Sequence, residues 1–181
     1  MTFFEKPLIA AVQGQAVGVG VTLLLHCDLV VAADNVRLTL PFLKLGLVPE
    51  AGSTLLLPQR IGHARAFAWM ALGEAVGAEQ ALALGLVNRV AKRGDIDVVA
   101  GEMAARSRNG CRPARFAHTK ALMRDANQLW DVGADGRRYF PPAFDQPGGH
   151  DRFRRLYEQV NKGLPGGPDT NRHIKCGDER A

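Results

Sequence analysis

A short apolar run bounded by turn residues, Pro7 to Gln13, leads directly into Gly14-Gln15-Ala16-Val17-Gly18-Val19-Gly20 and then into the apolar stretch Val21 to Leu25. A run of this length and texture is the pattern of a buried strand. The glycines behind it let the chain bend sharply and feed a buried helix. This strand, glycine turn and helix in succession point to an α/β fold. A second buried strand is expected over Asp28 to Ala33, followed by a turn at Asp34-Asn35. The alternating Val36-Arg37-Leu38-Thr39 reads as a further strand ending at Pro41.

Beyond Pro41 the chain becomes helical. Gly46 to Gly52 reads as a loop. A short helix is expected from Ser53 to Pro58, with Ser53 as its N-cap. Alanine-rich helices follow at Ala64 to Leu72 and Ala78 to Leu84, ending near Gly73 and Gly85. Leu86 to Val90 reads as a short final strand, and Ile96 to Arg106 and Pro113 to Leu129 as helices. After Trp130, Pro141-Pro142, Pro147-Gly148-Gly149 and Pro165-Gly166-Gly167-Pro168 interrupt any period. At most one helix, around Asp151 to Asn161, and a loose tail are expected there. No internal repeat is visible.

Bulk properties narrow the function classes. With 181 residues, 46% of them apolar, the chain fits one domain with a sizeable core. No run approaches the ~18 apolar residues of a membrane span, and Met1 to Pro7 lacks a secretory leader pattern. Cys27, Cys111 and Cys176 form no CxxC pair, and the five histidines form no HxxxH or HxH cluster. That texture suggests reduced thiols in a cytoplasmic protein without a metal site. The net charge of +5 is concentrated, with nine Lys/Arg against three Asp/Glu from Arg89 to Arg124. Such a stretch either attracts an anionic ligand such as nucleotide phosphates or forms a solvated face of two surface helices. Aromatic residues are not interleaved with it, so nucleic acid is not an expected partner.

Three features carry possible chemistry. Gly18-Val19-Gly20 at a strand-to-helix turn is either a plain tight turn or a place where helix-terminal amides stabilise an oxyanion. Glu50 is a lone carboxylate in the stretch Leu38 to Pro58, relieved only by Lys44. Burial would raise its pKa toward the range useful for proton transfer; a solvated glutamate in a helix first turn is the other reading. Ser53-Thr54 lacks a visible base and orienting acid, and no GxSxG elbow is present. His26 beside Cys27 reads as a packed residue at a helix end.

Taken in order, these features resemble the crotonase superfamily of enoyl-CoA hydratases and isomerases. The matching strings are Lys6-Pro7-Leu8-Ile9-Ala10-Ala11-Val12-Gln13-Gly14, Ala16-Val17-Gly18-Val19-Gly20, Cys27-Asp28-Leu29, Pro41-Phe42, Leu45 to Thr54, Gly73-Glu74, Ala78 to Ala81, Gly85 to Val90 and Thr119-Lys120-Ala121-Leu122. The resemblance covers about residues 5–130. It implies a spiral of ββα turns, partial over residues 1–92, then a C-terminal helical region over 93–130 and a divergent tail over 131–181. It implies an acyl-CoA thioester substrate, no separate cofactor because coenzyme A belongs to the substrate, and a homo-trimer or hexamer of the full fold. It places an oxyanion-hole amide at Val19, with Ala16, Gly18, Gly20, Phe42, Leu45, Leu47 and Leu57 against the substrate.

Hydratases of this superfamily use two glutamates, at the positions of Thr22 and Phe42 here. The Δ3,Δ2-enoyl-CoA isomerase branch instead has threonine and phenylalanine there, with one acid/base glutamate in the Pro49-Glu50 context. The resemblance therefore implies catalysis by Glu50 alone. Family members carry further residues ahead of the Lys6-Pro7 strand, including the other oxyanion amide. The chain is accordingly expected to be a truncated product or alternative start of a longer gene, weakly active or inactive alone. A frameshift near residues 130–147 is the expected origin of the divergent tail.

Overall fold

A computed structural model of the chain describes residues 4–108 and 113–138. Its first two strands, β1 (Ile9–Val12) and β2 (Gln15–Val17), are joined at Gly14, whose φ is +68°. The next pair, β3 (Leu29–Ala33) and β4 (Arg37–Thr39), repeats that arrangement. β1 lies parallel to β3 with Ile9 opposite Leu29, and β2 lies parallel to β4 with Gln15 opposite Arg37. Each strand pair thus stacks on the pair about one turn later, giving a spiral. Two sheets result, ordered β1-β3-β6 and β2-β4-β5, where β5 is Val76–Gly77 and β6 is Arg89–Ala91. β3 sits between two neighbours and its Val30 to Ala33 are fully buried, whereas β1 is an edge strand and only partly covered.

Between β2 and β3 the chain turns through α1 (Val19–Thr22) and a 3₁₀ turn (Leu23–His26). The expected strand–turn–helix is therefore present, with β2 as an added strand inside the glycine-bearing segment. After β4 come a 3₁₀ turn (Leu43–Leu45), α2 (Ser53–Ile61), α3 (His63–Leu72) and α4 (Ala78–Ala83). The main core joins Val21, Leu25, Val30, Leu38, Leu40, Leu57, Trp69 and Ala81 across these elements. α5 (Ile96–Arg108) covers the other side of β3 through Ile96, Val31 and Ala33.

The single helix expected over Pro113 to Leu129 is two helices, α6 (Pro113–Met123) and α7 (Ala126–Arg138). Asp125 makes the break: its Oδ1 accepts from the N–H groups of Asn127 (2.9 Å) and Gln128 (3.0 Å), the second and third residues of α7. Asp125→Ala is expected to cost about 1 kcal/mol, measured as a lower urea midpoint at unchanged m-value. α7 also runs past Trp130, where regular structure was expected to stop. Residues 139–181, with the helix expected over Asp151 to Asn161 and the proline-glycine strings, lie outside the described residues. No helix among the described residues is long and apolar enough to cross a membrane.

Two cations of the basic stretch, Lys120 and Arg124, have structural partners. Lys120 on α6 donates to the Asp28 carboxylate (2.8 Å) and the Lys6 carbonyl (2.9 Å), and Asp28 also accepts from the N–H of Leu8 (2.7 Å). Arg124 donates to the carbonyls of Leu25 (3.0 Å) and His26 (3.4 Å).

Candidate active site

The glycine-bearing turn presents Val19 at the start of α1. Gly18, with φ 55° and ψ −113°, occupies a region that only glycine enters without strain. Its own N–H is used by the Thr39 carbonyl (2.9 Å). Val19 is the first residue of α1, so its N–H has no acceptor within the helix. The valine side chain is 53% exposed, and the backbone group is what the turn offers. Ala16 is buried behind it, 3.6 Å from where a Cβ on Gly20 would lie, and Phe42 is buried beside Gly18. Ala16 and Phe42 thus pack against the two glycines of the turn. Leu45 and Leu47 are half-buried along the irregular segment after Phe42, whereas Leu57 is fully buried in the main core on α2.

Glu50 faces this turn from the loop ahead of α2. It is half-buried, and burial pushes its carboxyl above the usual range, opposed by a hydrogen bond from the Thr22 hydroxyl. Helix α2 begins at Ser53 with Gly52 as its N-cap, so Glu50 lies ahead of the helix and outside its first turn. Of the two readings of Glu50, the partly desolvated carboxylate is the one observed. The expectation of Ser53 as N-cap is corrected: Ser53 is the first helical residue, and its buried Oγ has no partner.

Thr22 ties the two halves of the site together. Its side chain is fully buried, and Oγ1 lies 3.3 Å from the Val19 carbonyl as well as bonding Glu50. One hydroxyl proton cannot serve both acceptors. When Glu50 is ionised the hydroxyl donates to it; when Glu50 is protonated, Thr22 accepts from the carboxyl and donates to Val19. Glu50 can therefore hold or release a proton beside the Val19 turn with a polar partner in either state. The resemblance marked Thr22 as a position where hydratases carry a glutamate and the isomerase branch a threonine, and it gave no sign of the bond to Glu50. A polar β-branched residue inside the apolar run Val21 to Leu25 was the available signal.

Behind Glu50, His26 and two arginines fix the backbone. His26 is buried and its Nε2 lies 2.8 Å from the Ala51 carbonyl. Burial lowers its pKa, the Ala51 bond opposes this, and Arg124 and Arg60 lower it further. Arg60 donates to the carbonyls of Leu25 (2.8 Å) and Cys27 (3.1 Å). With Arg124, it satisfies the carbonyls at the end of the 3₁₀ turn. His26 was expected to be a packed helix-end residue; it is packed, and it also reaches the site loop.

The model of the enoyl-CoA hydratase/isomerase family matches residues 1–137. Carnitinyl-CoA dehydratase from Escherichia coli (strain K12) is 38% identical over 125 residues, 69% of this chain and 48% of that protein. The carnitinyl-CoA dehydratase of Salmonella typhi is 37% identical over the same shares. This chain thus spans about half the length of these relatives. Among solved structures, an enoyl-CoA hydratase/isomerase from Pseudoalteromonas atlantica T6c is similar with a TM-score of 0.76 and 32% identity, covering 86% of this chain and 63% of that one. OdaA from Pseudomonas aeruginosa gives 0.75 and 39%, covering 84% and 63%. The chain belongs to the enoyl-CoA hydratase/isomerase family and has its crotonase fold.

Proposed function

We propose that the site moves a double bond of an acyl-CoA thioester, converting 3-enoyl-CoA to 2-enoyl-CoA through Glu50. Glu50 takes a proton from C2, the resulting enolate oxygen is stabilised by the Val19 N–H, and the same carboxyl returns a proton at C4. The observation that carries this reading is the surroundings of Glu50. Burial and the Thr22 hydroxyl are what shift it, and no second carboxylate among the described residues contributes. One carboxyl suffices for two sequential transfers on one face of a substrate. Water addition to a 2-enoyl-CoA calls for a second group to handle the water. Acyl-CoA as substrate, and a trimer or hexamer of the complete fold, follow the family and belong to the same proposal.

A hydratase-like reaction is the second reading, favoured by the carnitinyl-CoA dehydratase relatives. Product analysis separates the two. Isomerisation returns 2-enoyl-CoA at unchanged mass from 3-enoyl-CoA, whereas hydration of 2-enoyl-CoA adds one water. The first product without the second is expected, and hydration by this chain would overturn the isomerase reading.

The raised Glu50 pKa also has a stability consequence. The folded state binds this proton more tightly than the unfolded state does, so stability falls as pH rises from the ordinary carboxylate range through the raised value. Glu50→Gln is expected to melt above the wild type on the alkaline side of that window and level with it on the acid side. Thr22→Val removes the bond that favours the ionised form and should shift the Glu50 titration further upward. A ¹³C-carboxyl titration measures it.

A further inference from the structure

We propose that His26 is a positioning residue for Glu50, donating from Nε2 to the Ala51 carbonyl and thereby fixing the turn that aims the Glu50 carboxyl. This rests on the reading of Glu50 as the acid/base, and it names the group that holds that acid/base in place. The turn runs from Glu50 to Ser53 and is closed by the Ser53 N–H on the Glu50 carbonyl (2.9 Å). Its two central residues, Ala51 (φ 53°) and Gly52 (φ 63°), both have left-handed backbone. Glycine adopts this without penalty, but a residue with a Cβ does not. Ala51 is the one non-glycine residue with positive φ among the described residues. Strain of that kind persists where surrounding contacts over-determine the backbone.

His26 supplies such a contact. A carbonyl only accepts, so the bond of 2.8 Å requires the proton on Nε2. Nδ1 is buried and has no hydrogen-bond partner, so a second ring proton would have no acceptor. Among the described residues, the charged groups that act on the ring are Arg60 of α2 and Arg124 just beyond α6, both cationic. Each therefore disfavours an imidazolium, and the neutral Nε2–H tautomer is the form that fits. The backbone of His26 is itself held, since Arg60 and Arg124 bond the carbonyls of Leu25, His26 and Cys27. The ring thus transmits a fixed point on the spiral to the residue that follows Glu50.

The test compares the wild type with His26→Gln, His26→Leu and His26→Leu/Ala51→Gly. Glutamine carries an amide N–H at the reach of Nε2, whereas leucine does not. The Glu50 carboxyl is followed by ¹³C NMR titration, assigned by its loss in Glu50→Gln, and the isomerisation of 3-enoyl-CoA is followed against pH. His26→Gln is expected to keep the wild-type Glu50 titration. His26→Leu should move it toward the ordinary glutamate value and lower kcat by about tenfold to a hundredfold, with KM changed by less than about twofold. Ala51→Gly removes the strain that the bond opposes, so the double variant should recover much of the wild-type titration. Where His26→Leu does not fold, His26→Asn, whose amide falls short of Ala51, takes its place with the same expected shift. A wild-type Glu50 titration in the leucine or asparagine variant overturns the proposal, as does a shift in His26→Gln equal to that in His26→Leu. The titration needs no turnover. Equal turnover of the wild type and Glu50→Gln would remove the acid/base reading, while the carboxyl titration would still decide the role of His26.

Discussion

Gly52→Ala is expected to destabilise the fold by about 2–5 kcal/mol, among the larger effects of a single methyl group. Two causes act at one atom. The backbone there has φ 63°, which costs an alanine about 1–2 kcal/mol. The added Cβ would also overlap Cδ1 of Leu129, which is 2% exposed on α7 and close-packed against α2. Leu129 cannot swing into solvent without opening the contact between α7 and α2, so the methyl must displace one helix or the other. Thermal unfolding by circular dichroism should show a Tm lower by roughly 5–15 °C. Gly52→Ala combined with Leu129→Ala should lose less than the two single changes together, because the overlap disappears once the leucine is shortened. Strict additivity would mean that α7 does not dock on Gly52.

The largest functional effect is expected at Glu50. Removing a positioned acid/base lowers the rate by about 10²–10⁴. Glu50→Gln keeps the shape and a hydrogen bond to Thr22 while removing the carboxyl proposed to take and return the proton. KM should change little, because a residue that acts on C2 and C4 contributes to the transition state rather than to holding the coenzyme A portion. The melting temperature should not fall with the rate, since the amide avoids the cost of a partly buried charge. A rate that falls while stability holds or rises separates loss of chemistry from loss of structure.

Much of this site was legible in the sequence because its elements are bounded by residues with strong local preferences. β1 and β3 are short apolar runs between turns, β4 lies in an alternating string that ends at a proline, and α3 and α4 are closed by Gly73 and Gly85, both with left-handed backbone. β2 and β5, of three and two residues, are too short to show any alternation. They exist because β4 supplies partners on both sides, an arrangement encoded in no local string. The stacking of successive strand pairs is likewise a property of register, which is why no repeat appears in the residues themselves. Asp125 is an N-cap residue type, but a single aspartate inside the string Pro113 to Leu129 does not by itself mark a helix start. Glu50 stood out as the lone carboxylate of its stretch, but its burial depended on where α2 begins. The bond from His26 to Ala51 joins residues 25 positions apart, and neither carries a signal of the other.

The family and the fold are those of the enoyl-CoA hydratases and isomerases, whereas the proposed reaction rests on one carboxyl. It is tested most directly by the rate at which this chain converts 3-enoyl-CoA to 2-enoyl-CoA, followed by formation of the conjugated thioester, beside the same measurement on Glu50→Gln. Turnover by the wild type, even if weak, that falls by about 10² or more in Glu50→Gln is the predicted result. Equal rates in the two proteins would contradict it and remove Glu50 from the mechanism.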